Sequence, residues 1–589
     1  MNFIKLLPGV PRVENATICD LQEALSFKQT TATDLVRAYV VRIDTYNGAG
    51  PCLNAVRAVN PEAVTIAESL DASPSGSRRP LEGIPILLKD NIATGDAQYT
   101  TAGSLALADA RCHKDATIVR LLRQAGAVIL GKTNLTELAS VLTVGMPGGY
   151  SSLAGQVLNP YAPQIDEKGI PIVSPGGSSS GSAVAVAAGF AAAAIGTETS
   201  GSLLCPANQN GVVAVKPTVG LISRAGVVPV DENQDTVGPL TRTVRDAATL
   251  LNVLAAPDSE DKATLSLRRP LDYSEFLDRD GLRGARIGIP TNSSSGVFYE
   301  RSGPTDAAAP VMRRAYEALE DLGATLVRGS LKLTDWRTDF DDEDTVLKLF
   351  PWKLTDHQFE QLPLFHPVEL KQGLNAYLRD WVRGSSMRTI ADIVAFNSDN
   401  ASRALRFGQA ILAAAERSHP EAEAMARAIQ RCTHLRAMCA RAIVAFIDHH
   451  GLDALVFPGY AGAGLAAKAG FPSIHVPTGM VSPVGSTITP DYPFGITFMG
   501  RAWDEPVLLR LAYAYEQGTK ARSLPRAVPA IERADRHVSK FHFIEHDASP
   551  KLRIELDRIA SPSIGFRGER IFTVRHDLRI FERAARSKR

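Results

Sequence analysis

The chain has 589 residues, 45% hydrophobic and 22% charged, with 64 basic against 63 acidic side chains and a formal charge of +1. That length exceeds an average single domain and allows a large buried core, and the composition is that of a soluble globular protein. The balanced charge provides no field to recruit nucleic acid or an anionic membrane surface. Six scattered cysteines without a CxxC pair argue against a disulfide framework or a zinc site and fit a reducing, cytoplasmic compartment. The apolar run within Met1–Gly9 is too short for a signal peptide, and no segment approaches the ~20 apolar residues that span a bilayer.

Apolar spacing predicts helices over Ile18–Phe27 and from Thr33 through Ile43, each with one inward face. After a polar loop at Pro74–Pro80, short apolar runs alternate with helical patterns. Strands are expected at Ile84–Leu88, Val128–Leu130 and Ala193–Ile195, and helices at Ile118–Gln124 and Ala183–Ala188. A polar stretch near Asp258–Lys262 precedes another strand at Arg286–Ile289. This alternation is the pattern of an α/β fold. From about 331 to 450 strand signals vanish and helical patterns dominate, including Glu421–His449 behind Pro420. We read this region as a helical insertion carrying substrate-selecting surface. Strands return at Ala454–Phe457, Ile474–Val476 and Phe494–Phe498, followed by a helix over Glu505–Gln517. Beyond Pro525 the composition shifts, and Arg533–Arg589 is rich in charge.

Three segments carry chemistry. Pro175-Gly176-Gly177-Ser178-Ser179-Ser180-Gly181-Ser182 is a glycine- and serine-rich loop ahead of a helix, without the Gly-Lys-Ser/Thr ending of a P-loop. Gly196-Thr197-Glu198-Thr199-Ser200-Gly201-Ser202 is a second such loop, whose backbone amides can converge on the oxygen of a tetrahedral intermediate formed by Ser202. Donors of that kind are commonly worth ~3–4 kcal/mol each. The alternative for this loop is a tight turn after a buried strand. Lys89 follows the buried run Ile84–Leu88, where loss of solvent lowers a lysine pKa and makes it a base. The alternatives are pairing with Asp90 or snorkelling to solvent. Ser178, which can both donate and accept, is the candidate relay between Ser202 and that base. A serine hydrolase without histidine is the reading these residues support. His449-His450 sits at a helix end, His475 lies in a strand pattern, and the chain lacks a Gly-x-Ser-x-Gly elbow. Asp341-Asp342-Glu343-Asp344 reads as a solvated charge run, and nothing near Cys205 looks built to ionise it.

Together these residues resemble the amidase signature family. Gly83-Ile84-Pro85 through Lys89-Asp90-Asn91 is similar to its lysine motif, and Pro175–Ser179 and Gly196–Ser202 to its two serine motifs. The likeness continues through Lys216–Gly220, Asp235–Pro239, Glu369–Lys371, Asn375–Leu378, Gly470–Ser473 and Tyr515–Gln517, so it spans roughly Val13 to Arg526. The resemblance implies a large mixed β-sheet sandwiched by helices, an amidase domain over 1–526 with the insertion at about 331–450, and a charged extension over 527–589. It implies Ser202 as nucleophile, Ser178 as relay on a cis peptide and Lys89 as base, with the amides of Thr199, Ser200, Gly201 and Ser202 as oxyanion hole. The implied reaction is hydrolysis of a small-molecule carboxamide through an acyl-enzyme, with no cofactor and no metal, and a homodimer is allowed. Two alternatives stay open: the glutaminase subunit of an amidotransferase, and a non-catalytic amide-binding scaffold. Ser180 and Ser200 stand where the family commonly has glycine, which puts the rate in question.

Overall fold

The computed structural model describes residues 12–73, 79–266, 271–291, 307–331, 365–418, 422–482 and 490–531. Its centre is an eleven-stranded mixed sheet. In chain order the strands are β1 (Val56–Val59), β2 (Pro85–Lys89), β3 (Val128–Thr133), β4 (Ala193–Glu198), β5 (Val213–Lys216), β6 (Thr236–Thr241), β7 (Arg286–Pro290), β8 (Thr325–Gly329), β9 (Ala454–Pro458), β10 (Ser473–Val481) and β11 (Tyr492–Met499). They lie side by side as β1-β3-β2-β4-β6-β5-β10-β11-β9-β7-β8. β3, β2 and β4 run parallel, β6, β5, β10 and β11 continue in antiparallel pairs, and β9, β7 and β8 end the sheet in parallel. Every residue of β2, β3, β4, β5, β6 and β9 is buried, the mark of strands covered on both faces by helices.

The expected elements appear, with ends set by local chemistry. The first helix, Ile18–Ser26, opens on a capping box in which Thr17 and Asp20 satisfy each other's amides. Ala32–Tyr46 starts one residue before its expected beginning because the Thr31 hydroxyl accepts from the Asp34 amide. The helix after the first serine loop runs Ser180–Ala187, and the strand beyond it reaches Glu198. In the insertion, helices occupy Phe365–Asp380, Ile390–Asp399, Ala410–Arg417 and Ala422–His450. The region is not wholly free of strand: Val382–Arg383 pairs with Arg111–Cys112 in a short two-stranded ladder. Two-residue ladders carry no periodicity, which is why the sequence shows nothing of this one. The acidic run Asp341–Asp344 lies outside the described residues.

The first residues after the expected domain end are held firmly. Arg42, buried, donates to the carbonyls of Ala188 and Gly189 at 2.8 and 3.1 Å and to those of Val528 and Pro529 at 3.3 and 3.2 Å. The Tyr46 hydroxyl adds a bond to Pro529 at 3.0 Å. The remainder of the charged extension, 532–589, lies outside the described residues. No helix among the described residues is long and apolar enough to cross a membrane.

Two features of this sheet place the site. β2 and β4 are adjacent and parallel, so Lys89 and Glu198 finish at the same edge. The serine loops open at that edge, one before the Ser180–Ala187 helix and one between β4 and the Leu204–Asn210 helix. Carboxyl ends of parallel strands are the usual place for ligands in such sheets.

Candidate active site

Side chains alternate along a strand, so the neighbours Lys89 and Asp90 face opposite ways. Asp90 is engaged by Arg57 at 2.6 Å and by the Thr101 hydroxyl, with Lys132 at 3.9 Å. Lys89 turns instead to the serine loops. Its Nζ lies 2.7 Å from Ser178 Oγ, 2.9 Å from Thr197 Oγ1 and 3.2 Å from the Thr197 carbonyl oxygen. Asn91 Nδ2 donates to the same Thr197 hydroxyl at 3.0 Å. Burial brings Lys89 down to about 7, with the negative charges of Asp235 and Glu198 pulling the other way. A neutral amine has two donors and one lone pair. The two Thr197 oxygens can take the donors, which leaves the lone pair for the Ser178 proton.

Ser178 is fully buried and follows a cis peptide bond from Gly177. Its carbonyl accepts from the Thr136 amide at 3.1 Å. The turn ahead of it needs a glycine: Gly176 has φ +70°, and a Cβ there would lie 2.6 Å from Pro206 Cα. Ser179 joins the two loops, its amide donating to the Ser202 carbonyl at 3.1 Å and its hydroxyl to the Thr197 carbonyl at 2.9 Å. Ser180 begins the helix and donates to the Gly176 carbonyl at 2.6 Å, so its hydroxyl braces the loop. Ser202 retains 8% exposure where Lys89 and Ser178 have none, which makes it the member of the three open to an incoming molecule.

The Thr199–Ser202 turn is shaped by two carboxylates whose roles were not apparent in the sequence. Glu198 folds its side chain forward so that one oxygen accepts from the amides of Leu203 at 2.7 Å and Leu204 at 3.1 Å, with the Gly201 amide also facing it. Burial raises this carboxyl, opposed by the Lys216 cation on β5 and by these amides. Asp235, at the head of β6, accepts from Thr199 Oγ1 at 2.5 Å and from the amides of Val230 and Asp231 at 2.8 and 3.0 Å. Its carboxyl is enclosed although the residue keeps some surface, and that enclosure pushes it up to about 6. Gln234 Nε2 donates to the Thr199 carbonyl at 3.3 Å. Gly201 takes φ +81° and Ser200 stays outside the left-handed region, so a Cβ at 200 forces no backbone strain. Among the described residues nothing accepts a hydrogen bond from the amides of Thr199, Ser200 or Ser202.

The other candidates are inert. Burial pushes the Cys205 thiol up to about 11, so it stays protonated. His475 is buried with Nδ1 3.1 Å from Thr497 Oγ1 and is driven down to about 3, a neutral core residue. His450 closes its helix, and its carbonyl accepts from Arg286 at 3.0 Å. No group of three or more His, Cys, Asp or Glu side chains able to hold a metal occurs among the described residues.

A family model described as Amidase matches residues 34–340. A probable amidase of Arabidopsis thaliana is 35% identical over 529 residues, covering 88% of this chain and 92% of its own. The crystal structure of the native peptide amidase from Stenotrophomonas maltophilia is 38% identical with a TM-score of 0.73, covering 87% of this chain and 99% of its own. A glutamyl-tRNA(Gln) amidotransferase subunit of Salinibacter ruber is 38% identical over 326 residues, but these are 55% of this chain and 59% of that protein.

Proposed function

The chain belongs to the amidase family and is a hydrolase acting on amide bonds, and on that premise we propose that it cleaves a carboxamide through an acyl-enzyme at Ser202, with Ser178 as relay and Lys89 as base. The observation that carries this reading is the buried Lys89 amine, held near neutrality and 2.7 Å from Ser178 Oγ. Ser178 gives its proton to Lys89 as it takes the proton of Ser202, and Ser202 Oγ bonds to the amide carbon. The oxyanion is received by the amides of the Thr199–Ser202 turn. As the C–N bond breaks, Lys89 returns its proton through Ser178 to the leaving nitrogen, which departs as ammonia or an amine. Water then attacks the ester by the same proton path, releasing a carboxylic acid and free Ser202.

A stand-alone enzyme is favoured over an amidotransferase subunit, because the sequence match to such a subunit covers little more than half of either chain and the full-length structural likeness to one from Thermotoga maritima is only 24% identical with a TM-score of 0.58, whereas amidases are matched nearly end to end at 35% and 38% identity. The peptide amidase likeness makes peptide amides, alongside small organic amides, the class to screen. All six cysteines are free thiols, which supports the cytoplasmic placement. The decisive experiment is intact mass after incubation with a serine-directed fluorophosphonate. One adduct on the wild type and none on Ser202→Ala is the expected result. An adduct that persists on Ser202→Ala, or well-folded wild type that takes none, overturns the assignment.

A further inference from the structure

The helical insertion makes no direct hydrogen bond to Thr199–Ser202 among the described residues, yet a continuous bonded path joins them. It begins at Glu369 on the Phe365–Asp380 helix, whose Oε1 accepts from Asn233 Nδ2 at 2.8 Å. The Asn233 amide donates to Asp231 Oδ1 at 3.0 Å, and the amides of Gln234 and Asp235 donate to the Asp231 carbonyl at 3.0 and 2.8 Å. This compact turn presents Gln234 and Asp235 together to Thr199. We propose that Glu369 is a positioning residue for the reaction: through Asn233 and the 230–235 turn it holds Thr199, and so the oxyanion-binding amides, in place. The inference rests on the oxyanion role given above to the Thr199–Ser202 turn.

The second oxygen of Glu369 shows how the contact is kept. Oε2 is buried with no donor reaching it, and the Glu369 carboxyl is in hydrogen-bonding contact with that of Asp231. Two touching carboxylates cannot both ionise cheaply, so one proton bridges them. Burial, the Asp231 carboxyl and Glu232 all raise Glu369, and Arg436 on the Ala422–His450 helix opposes them. Cys432 on that helix also faces the pair, its own thiol raised chiefly by burial and further by Asp231 and Glu369. Losing the bridging proton at alkaline pH places two negative charges in contact and loosens the turn. Glutamine at 369 removes the charge while its oxygen can still accept from Asn233.

The test is the rate of fluorophosphonate labelling of Ser202 from pH 6 to 10 in wild type, Glu369→Ala, Glu369→Gln and Asn233→Ala, with thermal melts to confirm folding. Glu369→Ala and Asn233→Ala should label about tenfold to a hundredfold more slowly, the scale of a small misplacement at a reacting centre. Glu369→Gln should match the wild type at neutral pH and lack its alkaline decline. Rescue with an altered pH profile separates positioning from plain structural support. Wild-type rates in Glu369→Ala and Asn233→Ala, or an unchanged alkaline decline in Glu369→Gln, overturn the inference and leave the Ser202 assignment standing. Absence of any adduct on the wild type removes both.

Discussion

The state of Lys89 predicts how activity and stability respond to pH. Holding this fully buried lysine at about 7 rather than its ordinary 10.5 means that roughly 5 kcal/mol has been withdrawn from the charged form. If Lys89 must be neutral to accept the Ser178 proton, the rate of Ser202 phosphonylation should fall roughly tenfold per pH unit below about pH 6 and level off by about pH 8, holding there until the Glu369–Asp231 pair loses its proton at more alkaline pH. Stability should move the same way. Between about pH 7 and 10.5 the unfolded lysine binds a proton that the folded one has released, so stability rises with pH through that window. Lys89→Met should remove most of that slope and leave labelling orders of magnitude slower at every pH. Asp235→Asn tests the cause as well as the effect. Its negative charge pulls Lys89 upward, so neutralising it should move the acid limb to lower pH, while an amide can still bond Thr199 and accept the Val230 and Asp231 amides. Asp235 itself titrates near 6, so the limb reports the coupled groups together. A limb centred above pH 9, or one that moves upward in Asp235→Asn, would refute the argument that a desolvated neutral lysine is the base.

Three further outcomes follow from the loops. Gly176→Ala combines a left-handed φ with a Cβ 2.6 Å from Pro206 Cα; it should lower stability by about 2–4 kcal/mol in urea denaturation and suppress labelling of Ser202 in what remains folded. Ser200→Gly should leave the labelling rate within about twofold and cost only about 0.5–1 kcal/mol of stability through the unfolded chain, because Ser200 is not in a glycine conformation; a several-fold gain in rate would show that its Cβ does restrict the turn. Arg42→Ala strips a cation from the carbonyls of Ala188, Gly189, Val528 and Pro529 and should cost about 3–5 kcal/mol, with faster tryptic cleavage at Arg522 and Arg526 as the local readout.

What the sequence revealed and what it concealed divide along a physical line. Lys89, Ser178 and Ser202 stood out because glycine–serine runs and a lysine closing an apolar run are unusual locally, and the apolar runs themselves marked β2, β3 and β4. The resemblance supplied the cis peptide before Ser178, which no spacing rule predicts. β6 was harder: Gly238 and Pro239 discourage a strand, and only pairing with β4 and β5 on either side makes one of Thr236–Thr241. The parts of Glu198, Thr197 and Asp235 were invisible for a related reason. Each is an ordinary polar residue whose meaning depends on which way its side chain turns after burial. Glu198 and Thr197 lie inside a motif quoted for its serines, yet one closes the turn and the other receives Lys89. Local pattern exposes residues whose chemistry is intrinsic, such as a nucleophile or a base. It does not expose residues that act by holding others, because their partners come from distant strands and are fixed only when the sheet forms. That same dependence is why Glu369, 136 residues from its partner Asn233 in the chain, is a place where the insertion can govern a loop with which it shares no direct hydrogen bond among the described residues.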